Sequence, residues 1–228
     1  MEINITLPPF KGEFQGREIS SFVFQHLLSA SIFARKVRII EEENSEKPFG
    51  EFFTEIRSYA SASIVVSAAA IEANINELYI SHGCPLRQKL SNFEEEFWGR
   101  GGIENMPLMK KYIKALNILG KNKSFEKSRE YENANILVIL RNALVHFKPN
   151  WDFSPEDKKS ELKALSTKFK FSHFVDDGAD LISMKCMTYG CTKWAFESAI
   201  ELIEKFAEIS GLQNRIEKFK DRLKLDQY

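Results

Sequence analysis

The chain has 228 residues, 43% of them hydrophobic and 28% charged, an ordinary globular composition with enough apolar material for a core. Lysine plus arginine number 32, as do aspartate plus glutamate, so the net charge is zero. A general nucleic-acid coat or a membrane-surface protein carries a basic excess, so contact with a polyanion must rest on a local patch.

The opening Met1-Glu2-Ile3-Asn4 lacks the basic and apolar regions of a secretory signal. The most apolar stretch, Ile64 to Ile71, is interrupted by Ser67 and is too short to span a membrane. Three cysteines, Cys84, Cys186 and Cys191, do not make a disulfide framework. The expectation is a cytoplasmic protein with no membrane association.

In chain order, Pro8-Pro9 and Gly12 mark an extended leader. Ser20-Ser21 can cap a helix over about 22–43, where Val23, Leu27, Ala30, Ala34 and Val37 recur at helical spacing. A polar break at 44–48 precedes a long helix over about 49–81, stopped by Gly83 and Pro85. Its middle, residues 60–70, is small or apolar all round, as in a central bundle helix that its neighbours approach closely.

Shorter helices are expected over 86–98 and 107–119, then a basic loop carrying Lys121, Lys123, Lys127 and Arg129. A strong helix over about 131–147 follows, ended by Pro149. Ser154-Pro155-Glu156-Asp157 has the serine, proline and acids of a helix start. Residues 169–180 read as irregular, with a short strand at 170–174. Met187, Cys191, Trp194, Ser198, Leu202, Phe206 and Ile209 trace a helix stripe over 185–210, and Gly211 ends it. Leu212, Ile216, Phe219 and Leu223 predict a terminal amphipathic helix over 211–225. The reading is one all-α domain over 1–228, with a core bundle at about 20–210.

The segment Arg141-Asn142-Ala143-Leu144-Val145-His146 carries the most chemistry. At 100° per residue, Ile136, Leu137, Leu140, Leu144 and Phe147 form a core-facing stripe, while Asn142 and His146 lie one turn apart on the opposite face. Val138, Ile139 and Val145 flank the histidine, so that face reads as a second packing surface, such as a homodimer interface.

Arg-Asn-x-x-x-His near the end of a late bundle helix resembles the Arg-x4–6-His signature of the HEPN superfamily, in which a polar residue often follows the arginine. Ala73-Asn74-Ile75-Asn76-Glu77-Leu78 is similar to the end of that bundle's partner helix. The resemblance spans about 20–82 and 130–210. It implies a HEPN-type helical bundle with peripheral helices, acting as a homodimeric endoribonuclease. Two motifs would form one composite site that cleaves RNA without metal by 2′-hydroxyl attack. His146 would then be the general acid–base, its position at a helix C-terminus favouring the imidazolium. Arg141 would stabilise phosphate charge, and Asn142 would orient His146 or donate to phosphate. Glu72 and Asn76 are weaker supporting candidates. A toxin–antitoxin or phage-defence setting, with an antitoxin or other regulatory partner, is implied by the resemblance alone.

The structural alternatives are an Arg141 paired with an acid such as Glu72, and a His146 that merely caps its helix. A non-catalytic module holding a nucleotide or partner protein, or a purely structural interaction protein, would suit the same residues. Cys186, Cys191 and His173 lack a fourth ligand for zinc, and on one helix the two thiols would point apart. The lysines of 110–129 and 158–170 alternate with glutamates, as on a solvated surface, and Trp98, Trp151 and Trp194 do not spell out a stacking platform. No P-loop, dinucleotide fingerprint, nucleophile elbow or His-Glu-x-x-His occurs, so no cofactor or metal is expected.

Overall fold

The computed structural model describes residues 21–121, 124–148 and 164–225, and the regular structure among them is entirely helical. Six α-helices follow one another: α1 Val23–Glu43, α2 Phe52–Ile80, α3 Pro85–Gln88, α4 Leu108–Leu119, α5 Arg129–Val145 and α6 Tyr189–Ser210. The leader, Pro149, Trp151 and the helix start at Ser154 lie outside the described residues.

Helix α2 organises the bundle, packing on α1 along most of its length and also meeting α5 and α6. Contacts at Phe22 with Glu77, Ala30 with Ser63 and Phe33 with Tyr59 run in opposite chain directions, so α1 and α2 are antiparallel. The small residues of α2 permit this approach. Ser63 is fully buried and its hydroxyl donates to the Ala30 carbonyl at 2.9 Å. Ser67 donates back to Ser63 O at 2.8 Å, so neither hydroxyl is buried unpaired. Ile64, Ile71 and Ile75 fill the same core, each contributing roughly 1.5–3 kcal/mol by burial.

Glu77 ties three segments together. Its carboxylate accepts from Ser21 Oγ and Phe22 N, both at 2.8 Å, and from Arg215 Nη1 at 3.0 Å. The carboxylate thus supplies the capping anion that α1 lacks at its own N-terminus.

Three expected elements differ. The helix over 86–98 is broken: α3 spans four residues, and a separate wide turn forms at Glu94–Trp98. Between them Glu96 accepts from Ser91 Oγ at 3.0 Å and Asn92 N at 2.9 Å, a local capping arrangement that starts a new turn. The strand at 170–174 does not form. Its neighbour Leu181–Lys185 is coiled into a helical turn, and a single ladder-like bond, Ser172 N to Lys185 O, remains.

The terminal helix over 211–225 is not an α-helix either. Gly211 takes φ 72° and closes α6, and a short 3₁₀ segment follows only at Glu217–Leu223. Leu212, Ile216, Leu223 and Leu225 are nevertheless buried, and Phe219 stacks on Phe24 of α1 at 4.4 Å. The apolar pattern was satisfied by burial without helical geometry. No helix among the described residues is long and apolar enough to cross a membrane.

Candidate functional site

Ser128 caps α5 by accepting from Tyr131 N at 3.1 Å, and Glu130 and Glu132 complement the helix start. Ile136, Leu137 and Leu140 are buried and fix the helix rotation, which brings Arg141 to the edge of the core facing α2. There Arg141 Nη2 donates to Glu72 Oε2 at 3.1 Å. This is the structural pairing weighed for the arginine, and it engages one edge of the guanidinium. Nε is buried without a partner, and Nη1 has none among the described residues.

The helix ends at Val145 and His146 occupies its C-cap, its N–H bonded to the Asn142 carbonyl at 3.0 Å. The imidazole is exposed and makes no hydrogen bond among the described residues. The Asn142 side chain is likewise exposed and unpartnered. The link from Asn142 to His146 therefore runs through main chain, not through the side chain. Phe147, expected on the core stripe, is 43% exposed because the helix has already ended, and Val145 is 53% exposed. These two apolar side chains bracket the histidine. A groove of about 310 Å³ adjoins them, between Leu144 of α5 with the following Phe147 and Thr54, Arg57, Ser58 and Ser61 of α2, with Ser183 and Met187 also lining it.

Glu72 and Asn76 lie on the same side of α2 but serve different partners. Asn76 Oδ1 accepts from Lys111 Nζ at 3.0 Å. Lys111 is only 3% exposed, and its burial lowers its pKa, opposed by the charges of Glu72 and Glu104. Arg141, Glu72, Lys111 and Asn76 thus form one charged strip joining α5, α2 and α4. Below it the Tyr112 hydroxyl donates to Ile71 O at 2.7 Å and accepts from Asn74 Nδ2 at 3.2 Å.

Lys111 was missed by sequence reasoning. The signal was present: it sits at i+3 from Leu108 and i−4 from Ala115, both buried.

Cys186 and Cys191 correct the expectation that their thiols point apart. Helix α6 begins only at Tyr189, capped by Thr188 Oγ1 accepting from Cys191 N at 3.0 Å, so Cys186 stands on the preceding turn. Both thiols are buried and adjacent, and burial followed by the Cys186 contact raises the Cys191 pKa. Among the described residues no group of three or more histidine, cysteine or acidic side chains is placed to hold a metal. In the basic segments three side chains form ion pairs: Lys110 with Glu126, Arg129 with Glu201 and Lys168 with Glu132.

No family model, curated protein or solved structure matches the chain.

Proposed function

We propose that this chain is a dimeric, metal-independent endoribonuclease of HEPN type, acting in the cytoplasm. The observation that carries the reading is the arrangement at the end of α5. An arginine anchored on Glu72 stands just over one helical turn before an exposed histidine at the C-cap that has no partner among the described residues.

The chemistry needs little more than these groups. The 2′-hydroxyl attacks the adjacent phosphorus, the bond to the 5′-oxygen breaks, and a 2′,3′-cyclic phosphate remains. Across the twofold axis one His146 imidazole accepts the 2′-hydroxyl proton, and the imidazolium of the other protonates the leaving 5′-oxygen. Arg141 supplies a fixed positive charge to the phosphate oxygens, its orientation held by Glu72. The groove beside Phe147 offers Arg57 and four hydroxyls to the flanking nucleotides.

Dimerisation is supported by Val145 and Phe147, apolar side chains that a second copy would cover while bringing the two histidines together. The toxin–antitoxin or phage-defence setting, and an antitoxin or regulatory partner, rest on the family resemblance.

The test is made on the substrate. An RNA cleaved by the purified chain is resynthesised with a 2′-O-methyl group at the cleaved nucleotide. Cleavage at that bond should stop while cleavage elsewhere continues. Unchanged cleavage at the methylated position would exclude the 2′-hydroxyl as nucleophile.

A further inference from the structure

The first turns of α6, the segment Lys168–His173 and the end of α1 line an open cavity of about 460 Å³. That lies within the range of ligand pockets, roughly 300–1,000 Å³. No residue of α5 lines it, so it is separate from the proposed nuclease site.

Its walls combine two kinds of group. Lys168, Lys170 and Lys193 supply three ammonium groups, against the carboxylates of Glu41 and Glu197. Lys168 is paired with Glu132 at 3.1 Å and Lys193 with Glu197 at 3.8 Å, while Lys170 has no ion-pair partner among the described residues. Phe169 and Trp194 supply aromatic surface, their ring centroids 5.6 Å apart. Trp194 is 8% exposed, and its indole N–H has no hydrogen-bond partner, an unpaired donor in a cavity wall residue.

Glu41 closes the cavity from α1. Its carboxylate accepts from Tyr189 N in the first turn of α6 at 3.0 Å. Burial raises its pKa to about 7, opposed by that hydrogen bond and assisted by the charge of Glu42. The lining therefore sheds negative charge at neutral pH and keeps its lysines, at the positive end of a 22-residue helix.

We propose that this cavity binds a mononucleotide-sized ligand, with its phosphate on Lys170 and Lys193 and its base against Phe169, which packs on Trp194. Lysine ammonium groups suit a phosphate dianion, and an aromatic face suits any base. The phosphate could belong to a free nucleotide or to an RNA end, which share this chemistry.

An anion here makes Glu41 easier to protonate, so binding takes up protons near pH 7. Arg38, Glu42, Lys168, Lys170, His173, Tyr189, Lys193 and Glu197 are the charged and titratable groups around it, and uptake at Glu41 is removed by Glu41→Gln.

The experiment is calorimetric titration of the full chain with AMP, GMP, CMP, UMP, inorganic phosphate and a 5′-phosphorylated trinucleotide, in two buffers of different ionisation enthalpy. At least one nucleotide should bind with Kd below about 1 mM, some tenfold tighter than phosphate. Combining Lys170→Ala with Lys193→Ala should weaken it by about tenfold or more, with Tm unchanged. Tighter binding of the trinucleotide, lost in the same variant, would support the site and identify an RNA end as the ligand. Preference for a mononucleotide would support the site and identify a free nucleotide. No nucleotide binding at millimolar concentration, equal binding by the double variant, or phosphate binding as tightly as any nucleotide would overturn the proposal.

Discussion

Arg141 and Glu72, 69 residues apart in the chain, meet at 3.1 Å where α5 crosses α2. The arginine side chain is mostly covered and the glutamate is 41% exposed, so the pair lies at the core edge and contributes little to folding. Exposed or half-exposed pairs of this kind are worth about 0.2–1 kcal/mol. Glu72→Ala should therefore lower stability by no more than about 1 kcal/mol. RNA cleavage should fall much further, by more than about tenfold, because an unanchored guanidinium no longer meets the phosphate. Comparing denaturant midpoints with cleavage rates separates the two effects. A rate loss no larger than the stability loss would make the pair purely structural.

Phe147→Glu and Val145→Glu address the dimer. Both positions are exposed, so the folded monomer should change by less than about 0.5 kcal/mol. If a second copy covers them, a charge there dissociates the dimer. Sedimentation velocity should show a shift to monomer, with cleavage lost in parallel. A variant that stays dimeric and active would place the interface elsewhere.

Ser63→Leu probes the close approach of α1 and α2. The site is fully buried beside Ala30, so a leucine overpacks it and should cost about 2–3 kcal/mol. Ser63→Ala loses only one hydrogen bond and should cost about 1 kcal/mol. Equal midpoints for the two variants in urea would mean the helices are not held in contact there.

Glu41 sets a pH dependence. Its pKa is raised from 4.5 to about 7 in the folded chain, so the unfolded chain ionises it first as pH rises. Its contribution is fully present below about pH 4.5 and is lost as pH rises through about 7. Relative to Glu41→Gln, the native protein should lose about 3 kcal/mol across that window. Urea midpoints measured at pH 4.5 and 8 for both proteins check this. Parallel profiles would show that Glu41 keeps an ordinary pKa.

The long helices were legible because their apolar residues repeat at helical spacing and small residues mark the crossing. Val23, Leu27, Ala30, Ala34 and Val37 are all buried as that spacing requires. The errors arose where apolar spacing and local hydrogen bonding disagree. Leu212, Ile216 and Leu223 repeat like a helix, yet Gly211 in a left-handed conformation and the pull of Glu77 on Arg215 lead the chain into a shorter turn. Cys186 was assigned to α6 by its neighbours, but Thr188 caps the helix after it.

At the candidate site, Arg141 and Glu72 were named from sequence and meet. Lys111 could have been read from its place on the buried face of α4, whereas the cavity beside Glu41 was not legible, since it depends on α6 packing against α1, far away in the chain.

The most direct test of the central claim is RNA cleavage by the purified chain in excess EDTA, beside His146→Ala. The imidazole is exposed and makes no hydrogen bond among the described residues, so the variant should match the native Tm to within a degree or two. The native chain should leave 2′,3′-cyclic phosphate ends and the variant none. Equal cleavage by both, or none by either across a broad RNA panel, would contradict it.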